Sequence, residues 1–457
     1  MLTYELKKAP GVPLYEALYR CIRQDILSGV LVCGEKLPSK QTLAAHLEVS
    51  KITVETAYNQ LLSEGYIRSR EKVGYFVEPV QLRQHPVKPA KTTLPPTTAA
   101  SLIDLTANGS PSFPFSVWSR LQREVMLDLG QALLLPMPNQ GLFDLRSAIA
   151  QHLWDFRGMH VDPEHILIGA GTDFLYNILI QLLGRDKLYA VEDPGYGKIR
   201  KIYAAGGVRC VSVPLDSKGV CHTALGDAQI LHISPSHHFP TGLVTPVSRR
   251  RELLQWAQNS ADRYIIEDDY DSEFRFDAHP MPAMTSMDTA GRVIYINTFS
   301  KSLTPSIRIS YMVLPEALMA RFQQQLGFYS CTVPSFEQQT LARFICTGHF
   351  EKHINRMRKV YKTRRNQIIS ILQSASFANR LTILEQDAGL HFLLRADTSL
   401  SDDELVQRCL RAGILVRSLS SYYREAVPQH AQHCLVVNYS GLQDSDLTAL
   451  SQKLTLV

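Results

Sequence analysis

Two stretches of this chain decide its fold: IIEDDYDSEFRF at residues 265–276 and TFSKSLTPSIRISYM at residues 298–312. Each continues a short apolar run into charged and hydroxyl residues, a pattern typical of a buried strand that runs into a loop. In open α/β sheets, ligands bind beyond the carboxyl ends of the strands. The two stretches therefore predict an α/β protein with a polar site where neighbouring strands end.

Similar runs recur along residues 102–457, and a helical pattern usually follows each of them. Such alternation is typical of a largely parallel sheet with helices packed on its faces. The runs are HILIGAG (165–171), KLYAVEDPG (187–195), QILHISPS (229–236), RYIIEDDY (263–270) and RVIYINTF (292–299). We therefore expect one α/β domain over residues 102–457.

A stretch rich in proline and threonine precedes this domain. Residues 78–101 hold five prolines and four threonines without helical or strand periodicity, and proline favours extended, semi-rigid chain. The sequence therefore predicts a linker at residues 79–101. Its basic residues (Arg83, Lys88 and Lys91) either lie near a polyanion or are simply solvated.

Before the linker, the sequence predicts three helices and a β-hairpin, which is the order of a winged helix-turn-helix. The third helical pattern begins SKIT at residues 50–53. Short hydroxyls and a cation at a helix N-terminus suit phosphate and base-edge contacts in a major groove. Alternatively, Ser50 and Thr53 only cap the helix. Charge does not decide between these, because residues 1–78 carry ten Lys and Arg against nine Asp and Glu.

Composition excludes several classes of protein. The 457 residues are 45% hydrophobic and 20% charged, the profile of a globular protein and not of a disordered one. No apolar run approaches the ~18 residues of a membrane span, and MLTYELKKAPGVP (1–13) has no apolar signal core. The eight cysteines are scattered without a CxxC pair, so we expect neither disulfides nor a zinc site. We expect a cytoplasmic protein.

The polar residues that follow the strands include groups that could bind a cofactor. Lys301 stands between two serines, and a lysine in a partly apolar setting can lose its proton and form an aldimine, although a lone lysine is more often a surface residue. The carboxylates and phenol of EDDY (267–270) need a cationic partner or a metal. A pyridinium nitrogen is the alternative to the metal.

Three weaker signals accompany these groups. The turn GAGTD (169–173) can present backbone N–H groups to an anion. Arg308 is a plausible phosphate clamp, and Tyr196, in DPGY, can stack on a flat cofactor. Each signal is ambiguous alone, but together they supply the groups that a pyridoxal phosphate site needs.

The order of these motifs resembles two known families. Residues 13–77 resemble the GntR-family winged helix through the elements LPS…LA, VSK-x-TV, AY…L…EG and GYFV. Residues 102–457 resemble the aspartate-aminotransferase-like fold, fold type I, through EDPGY (192–196), SPSHHFPTG (234–242) and the two stretches quoted first. Together they resemble the MocR-type subfamily of bacterial transcription regulators.

The resemblance implies a winged helix over residues 1–78, pyridoxal 5′-phosphate as cofactor, and a smaller α+β subdomain over roughly residues 330–457. Lys301 would carry the internal aldimine, the Schiff base with the cofactor. Asp268 would pair with the pyridinium nitrogen, and Tyr270 would hydrogen-bond the phenolic O3′. Tyr196 would stack on the ring. The phosphate would be held by Gly171, Thr172, Thr298, Ser300 and Arg308. No residue is assigned to a metal.

The family's DNA contacts carry over to Gln41, Ser50, Lys51, Thr53, Lys72 and Gly74. Gln41 and Lys51 occupy positions that are usually arginine in the family, and neither reproduces a bidentate arginine–guanine contact. We therefore expect an operator that differs from the family's norm. The family's head-to-tail homodimer implies double-stranded DNA with repeated or two-fold half-sites.

Three features depart from the aminotransferase pattern. Aminotransferases clamp the substrate α-carboxylate with an arginine in a stretch like LRLGY, whereas CLVVNY (434–439) has Val436 at that position. Lys198 supplies a charge nearby but not the planar fork of arginine. Leu135-Pro136 replaces a usual Tyr-Gly, which puts one phosphate contact from the partner subunit in question.

These departures lead us to expect a DNA-binding regulator without full transamination turnover. It would sense pyridoxal phosphate itself or an amine that lacks the α-carboxylate. Two other classes stay open at this point. One is a working aminotransferase with an accessory DNA-binding domain, and the other is a dimerisation scaffold without cofactor.

Overall fold

A computed structural model of the chain describes residues 2–4, 6, 13–79, 102–107, 109, 112–276, 281–385 and 389–454. The chain divides into two compact units, Met1–Thr97 and Thr98–Val457. Each unit has its own hydrophobic core. The linker predicted at residues 79–101 lies outside the described residues except for Pro79.

The described part of the first unit contains three helices and a three-stranded antiparallel sheet of order β1-β3-β2. Its elements are α1 (Leu14–Ser28), β1 (Lys36–Leu37), α2 (Lys40–His46), α3 (Lys51–Ser63), β2 (Ile67–Arg70) and β3 (Gly74–Val77). This confirms the winged helix-turn-helix. The sequence did not predict β1, because a two-residue strand has no periodicity of its own.

Serine hydroxyls cap the starts of α2 and α3 in the first unit. Ser39 Oγ accepts a hydrogen bond of 3.1 Å from the backbone N–H of Thr42 and caps α2. Ser50 Oγ accepts one of 3.1 Å from the N–H of Thr53 and caps α3. Each bond satisfies one of the donors that a helix N-terminus leaves without a partner.

The second unit alternates strands and helices, with seven further short 3-10 turns among its described residues. Its helices are α4 (Phe115–Leu129), α5 (Phe143–Arg157), α6 (Thr172–Leu183), α7 (Gly197–Ala205), α8 (Val247–Gln258), α9 (Met284–Met287), α10 (Phe299–Ser302), α11 (Glu316–Leu326), α12 (Ser335–Cys346), α13 (His349–Ser374), α14 (Asp402–Arg411) and α15 (Asp444–Lys453). Its strands are β4 (Ile103–Asp104), β5 (Ile166–Gly169), β6 (Leu188–Asp193), β7 (Arg209–Asp216), β8 (Gly219–Val220), β9 (Ile230–Ile233), β10 (Tyr264–Asp268), β11 (Val293–Thr298), β12 (Ser310–Val313), β13 (Leu381–Leu384), β14 (His391–Ala396), β15 (Ile414–Leu415), β16 (Arg417–Ser418) and β17 (Cys434–Asn438).

The central sheet has the order β5-β12-β11-β10-β9-β6-β7-β8 among the described strands. The run from β11 through β10, β9 and β6 to β7 is parallel. Strand β12 pairs antiparallel with both of its neighbours, and β8 pairs antiparallel with β7. The expectation of a largely parallel sheet is therefore confirmed.

Both faces of this sheet are buried, as expected of a parallel sheet covered by helices. Ile294 and Ile296 of β11 pack into one apolar cluster together with α6, whereas Tyr295 between them packs into another. Successive side chains of a strand point to opposite faces. Both faces of β11 are therefore used for packing in the core.

A second, four-stranded sheet of order β13-β14-β17-β16 lies in the C-terminal part of this unit, and a short parallel pair joins β15 to β4. Together with α13, α14 and α15 it gives the α+β content expected there. None of the helices that the structure describes is long and apolar enough to cross a membrane.

Candidate functional site

The register of the central sheet brings the motifs of the two deciding stretches to one edge. Asp268, the last residue of β10, is paired with Ile296 of β11, and β11 ends two residues later at Thr298. Thr298 is in turn paired with Ser310, and Ser310 with Gly169 at the end of β5. The carboxylate motif, the lysine turn and the glycine turn therefore lie at the same edge.

Lys301 occupies the single turn α10 directly beyond β11. Thr298 caps that turn by accepting a hydrogen bond of 3.1 Å from the N–H of Ser300. Lys301 Nζ lies 6.0 Å from the centroid of the Tyr270 ring. Burial lowers the pKa of Lys301 to about 8, and the Asp271 carboxylate acts in the opposite direction. At pH 7 about one tenth of this amine is therefore uncharged and nucleophilic, far more than for a lysine in solvent.

Asp268 is a buried carboxylate with one oxygen held and the other left open. The Tyr176 hydroxyl donates to Oδ2 at 2.5 Å, and His232 Nε2 lies 3.5 Å from the same oxygen. Oδ1 is buried without a hydrogen-bond partner among the described residues. A buried carboxylate oxygen needs a donor, and a protonated ring nitrogen would supply one.

Sequence reasoning missed the two residues that hold Asp268. Tyr176 lies on α6 and His232 on β9, and both are buried among apolar neighbours. The available signal was weak: His232 is a polar residue inside an otherwise apolar strand. Nothing in the sequence shows that α6 brings a tyrosine to the end of β10.

Tyr270 lies next to a buried imidazole–carboxylate pair that the sequence did not reveal. His237 Nδ1 is 2.8 Å from Asp271 Oδ2 and 3.3 Å from the Tyr270 hydroxyl. Burial, followed by the nearby Asp271 and Asp268 charges, raises the pKa of Tyr270 well above its usual value. The Tyr270 phenol therefore stays protonated and can donate a hydrogen bond at neutral pH.

The glycine turn and Arg308 form a close pair at the N-terminus of α6. Gly171 has φ +92°, and a Cβ there would stand 2.1 Å from Arg308 Nη2. Arg308 itself has φ +51° and lies 3.6 Å from Asp173 Oδ2. A helix N-terminus beside a guanidinium suits an oxyanion. Thr172, the first residue of α6, presents its N–H at the same place.

The two hydroxyls of the lysine turn differ in what they contact. Thr298 Oγ1 accepts from both the Ser300 N–H and Ser310 Oγ, at 3.1 and 2.8 Å. Ser300 Oγ is buried and has no hydrogen-bond partner in the described part of the chain. Ser300 is thus open to a ligand, whereas the Thr298 hydroxyl shapes the turn.

Tyr196 stands just beyond β6, where it precedes α7. Its side chain is 51% exposed, and its ring lies 6.0 Å from that of Phe239 at an interplanar angle of 87°. A partly exposed ring at the carboxyl edge of the sheet can stack on a planar ligand.

Two of the residues that depart from the aminotransferase pattern make other contacts in the structure. Val436 is buried in an apolar cluster with Leu393 and Leu419, against which Phe239 and Tyr422 pack. Lys198 Nζ is 2.6 Å from Asp173 Oδ2. The alternative cation named from the sequence is thus already paired with a carboxylate.

The proposed DNA contacts lie in α2, at the start of α3 and in the wing formed by β2 and β3. Gln41, Lys51 and Lys72 are exposed. Ser50 Oγ lies 2.8 Å from Thr53 Oγ1 in addition to its cap bond, so both hydroxyls are committed at least in part to the helix start. Lys72 and Gly74 have φ +60° and +132° in the turn between β2 and β3, which is the tip of the wing.

The groups at the sheet edge fit pyridoxal phosphate. They comprise a buried amine, a carboxylate oxygen and a hydroxyl without hydrogen-bond partners among the described residues, and a glycine turn that packs against an arginine. When bound, this cofactor supplies an electrophilic aldehyde and an electron-withdrawing ring. Across the described residues, no group of three or more His, Cys, Asp or Glu side chains is placed to hold a metal ion.

Comparison with protein families matches both units. Residues 14–77 match the family described as bacterial regulatory proteins, gntR family. Residues 100–454 match the family described as aminotransferase class I and II. The second match spans most of the chain.

Among solved structures, the chain is similar in fold to aminotransferases. A Pyrococcus horikoshii kynurenine aminotransferase has a TM-score of 0.66 at 22% identity, over 78% of this chain and 91% of that one. An archaeal alanine:glyoxylate aminotransferase has a TM-score of 0.68 at 21% identity, over 78% and 90%. These likenesses identify the fold of the second unit.

Full-length relatives carry both units. "Uncharacterized HTH-type transcriptional regulator YdeL" of Bacillus subtilis is 36% identical over 99% of this chain and 98% of its own. "Probable rhizopine catabolism regulatory protein MocR" of Rhizobium meliloti is 30% identical over 96% and 92%. "HTH-type pyridoxine biosynthesis transcriptional regulator PdxR" of Corynebacterium glutamicum is 31% identical over 88% and 87%. The chain therefore belongs to the MocR-type GntR-family transcription regulators, in which a winged helix precedes a pyridoxal phosphate-binding domain of the aminotransferase class I and II family.

Proposed function

We propose that this regulator binds pyridoxal phosphate covalently at Lys301 and alters its binding to DNA in response to the cofactor itself or to an amine. One observation carries the proposal. The buried Lys301 amine, whose pKa lies at about 8, shares a sheet edge with Asp268 Oδ1, a buried oxygen that lacks a partner among the described residues. A buried carboxylate oxygen without a donor costs free energy, and a bound ring nitrogen would recover that cost.

In this proposal each residue keeps one task. Lys301 Nζ would be the point of covalent attachment, and the bound cofactor would supply an electrophilic carbonyl there. Asp268 would accept a hydrogen bond from the protonated ring nitrogen, while Tyr270 would donate one to the phenolic oxygen. The phosphate is held by Gly171, Thr172, Thr298, Ser300 and Arg308, with Thr298 acting through the shape of the turn. Tyr196 stacks on the ring.

An amine effector would bind where the Lys301 amine is held, and its binding would change the charge at the centre of the site. A ligand shifts an equilibrium between two conformations only by its difference in affinity for them. An amine with different affinities for two conformations of the site would therefore alter the placement of the winged helices in a head-to-tail homodimer.

The contacts to DNA are proposed for Gln41, Ser50, Lys51, Thr53, Lys72 and Gly74. They would meet double-stranded DNA with repeated or two-fold half-sites in the cytoplasm. The domain limits proposed for the chain are 1–78 for the winged helix, 79–101 for the linker and 102–457 for the cofactor domain, with a small subdomain from about residue 330.

Turnover as an aminotransferase is the second candidate, favoured only by the class I and II fold. Val436 speaks against it, because a buried valine cannot form the bidentate contact that an arginine makes with an α-carboxylate. Lys198 does not replace that contact while it is paired with Asp173. We therefore propose a regulator without full transamination.

Titration of the cofactor-free protein with pyridoxal phosphate tests the proposal. We expect an absorbance band near ~420 nm that is absent from Lys301→Ala and present in Lys201→Ala, a control lysine exposed on α7. Affinity for duplexes selected from a random library should differ with and without cofactor or amine. A band that survives in Lys301→Ala would refute the assignment of the lysine. The absence of any band in wild type would favour a cofactor-free scaffold.

A further inference from the structure

His237 has no task in the proposed function, yet it contacts the carboxylate that acts on Lys301. It follows β9, and its Nδ1 lies 2.8 Å from Asp271 Oδ2. The two side chains are each only 3% exposed. Burial lowers the pKa of Lys301, and the Asp271 charge opposes this effect. Because a buried carboxylate needs a hydrogen-bond donor, His237 holds in place the group whose charge acts on the lysine.

The contacts of the His237 ring indicate which of its nitrogens carries the proton. An ionised carboxylate only accepts hydrogen bonds, so Nδ1 donates to Asp271 Oδ2. Nε2 is buried and has no hydrogen-bond partner among the described residues. With its proton on Nδ1, the ring cannot accept from the Tyr270 hydroxyl, which lies 3.3 Å from the same nitrogen. The Tyr270 proton is therefore left for another acceptor.

Backbone next to the second, four-stranded sheet confines this ring. Gly389 lies two residues before β14 and has φ +72°, and a Cβ there would collide with His237 Cε1. Its N–H donates to the Phe274 carbonyl at 2.8 Å, and its carbonyl accepts from the Tyr439 hydroxyl at 2.7 Å. Tyr439 directly follows β17. The imidazole is therefore confined between Asp271 and a backbone segment that is hydrogen-bonded to the end of that sheet.

We propose that His237 is a positioning residue, which fixes the charged Asp271 carboxylate where it acts on Lys301 and makes the reactivity of that lysine depend on the contact with Gly389. This rests on the proposed function of Lys301 and adds a residue that sets when its amine reacts. A hydrogen bond to the charged form of a carboxylate favours that form, whereas burial without one disfavours it. Without the His237 donor, the effect of Asp271 on Lys301 is lost.

The neighbouring titratable groups define the controls that the test needs. Burial, followed by the proximity of His237, lowers the pKa of His238 to about 3 and that of His391 well below its usual value. Neither ring therefore carries a charge near neutral pH. The other groups that interact with the Asp271 charge are Tyr270, Glu273, Arg275 and Tyr439. Because they respond to the same charge, the test includes a background from which that charge is removed.

Competitive acetylation of the cofactor-free, full-length protein measures the ionisation of Lys301. Acetic anhydride reacts with uncharged amines, so mass spectrometry of the modified peptides over a series of pH values gives a midpoint for Lys301, with the exposed Lys201 as reference. His237→Leu should lower the Lys301 midpoint by at least ~0.5 pH unit, because the Asp271 charge no longer raises it. His237→Asn has nearly the shape of leucine but offers an N–H near the position of Nδ1, and it should keep the wild-type midpoint.

Two further comparisons assign the shift to the arrangement around the ring. In an Asp271→Asn background, His237→Leu should change the midpoint by less than ~0.2 pH unit, because the charge that His237 positions is gone. Gly389→Ala should lower the midpoint as His237→Leu does, since the new Cβ displaces the ring. Gly348→Ala is the matched control, with φ +71° and no atom within 4 Å of the new Cβ, and it should leave the midpoint unchanged.

The outcomes separate this proposal from the proposed function, because the midpoint is measured without cofactor. An unchanged midpoint in His237→Leu would overturn the role of His237. So would equal shifts in His237→Leu and His237→Asn, or a full further shift in the Asp271→Asn background. An unchanged midpoint in Gly389→Ala would overturn the dependence on Gly389. The expected midpoints without any cofactor absorbance band in wild type would contradict the proposed function alone.

A measurement on the wild-type protein decides the matter if His237→Leu does not fold. The ring-nitrogen chemical shifts of labelled histidines distinguish a proton on Nδ1 from one on Nε2. The His237 signals are assigned by their loss in His237→Asn. We expect the proton on Nδ1, and a proton on Nε2 alone would overturn the proposal, because the ring could not then donate to Asp271.

Discussion

The winged helix and the proposed cofactor site at the sheet edge differ in whether certain polar side chains have hydrogen-bond partners. In the first unit, Ser39 and Ser50 close the starts of α2 and α3 with hydrogen bonds of 3.1 Å to the backbone. At the sheet edge of the second unit, Asp268 Oδ1 and Ser300 Oγ are buried without a partner in the described structure. A buried polar group without a partner costs ~1–3 kcal/mol, and at this edge a bound ligand would recover that cost.

Adjacent residues of one motif give the largest expected contrast. Asp269 Oδ2 lies 2.9 Å from Arg157 and accepts from the Tyr295 hydroxyl at 2.8 Å. Its Oδ1, like that of Asp268, has no hydrogen-bond partner among the described residues, so the buried arginine is what distinguishes the two carboxylates. Asp269→Asn leaves a buried arginine uncompensated, so we expect it to lower the stability of the cofactor-free protein by about 3–5 kcal/mol. Asp268→Asn keeps an oxygen for Tyr176 and should change stability by less than about 1 kcal/mol.

Thermal unfolding of the two cofactor-free variants measures this contrast, with pyridoxal phosphate titrations alongside. Asp268→Asn should instead weaken cofactor binding, by about 10- to 100-fold. Equal losses of stability in the two variants would show that Asp268 is a structural carboxylate like its neighbour. The proposed difference between a structural and a ligand-binding carboxylate would then be wrong.

A glycine substitution gives the next largest effect. In Gly171→Ala, the new Cβ would stand 2.1 Å from Arg308 Nη2 in a backbone with φ +92°, so the guanidinium must move away from the turn. We expect cofactor affinity to fall about 10- to 100-fold, from backbone strain and a displaced phosphate contact.

Gly207→Ala is the matched control for this substitution. It has φ +79°, and its nearest neighbour would be Arg185 Cδ at 3.8 Å, so it carries similar strain without the clash. Its cofactor titration should match that of wild type. If both variants lost affinity equally, strain alone would explain the loss, and the arrangement of Gly171 and Arg308 would not be a phosphate site.

The pKa of Lys301 predicts a pH effect of intermediate size. The folded pKa of about 8 lies below the usual value of 10.5 because burial disfavours the charged amine. The buried charge therefore destabilises the cofactor-free fold below a pH of about 8, and the penalty is relieved as pH rises toward the unfolded value. Over the same range, the fraction of reactive amine increases.

Stopped-flow mixing with pyridoxal phosphate measures this dependence. From about pH 7 to about pH 9, the rate of appearance of the band should rise roughly ten-fold, with a midpoint near the pKa of Lys301. A rate that rises only above about pH 10 would place the lysine in solvent. Asp271→Asn should move the midpoint to lower pH, because the Asp271 charge raises the pKa of Lys301.

The parts of the fold and site that could be predicted are those whose signal lies within a short stretch of sequence. Ser50 and the strand that ends at Asp268 were predicted because caps and apolar runs are local patterns. Tyr176 and His232 were missed because they reach Asp268 only through the packing of α6 and β9. The pairing of Val436 in β17 with Arg417 in β16 was also missed, because strand register is set by tertiary pairing that a single sequence does not display.

The smallest expected effect concerns Ser50, which the sequence left between a cap and a DNA contact. Ser50 Oγ accepts from the Thr53 N–H and lies 2.8 Å from Thr53 Oγ1. Ser50→Ala should cost about 1 kcal/mol of stability, while Ser50→Asn, which keeps a cap acceptor, should cost little. If Ser50 only caps, Ser50→Asn will bind selected duplexes as wild type does. If the hydroxyl also touches a phosphate, Ser50→Asn will keep the stability and lose affinity, and the separation between satisfied and open polar groups will extend into the winged helix.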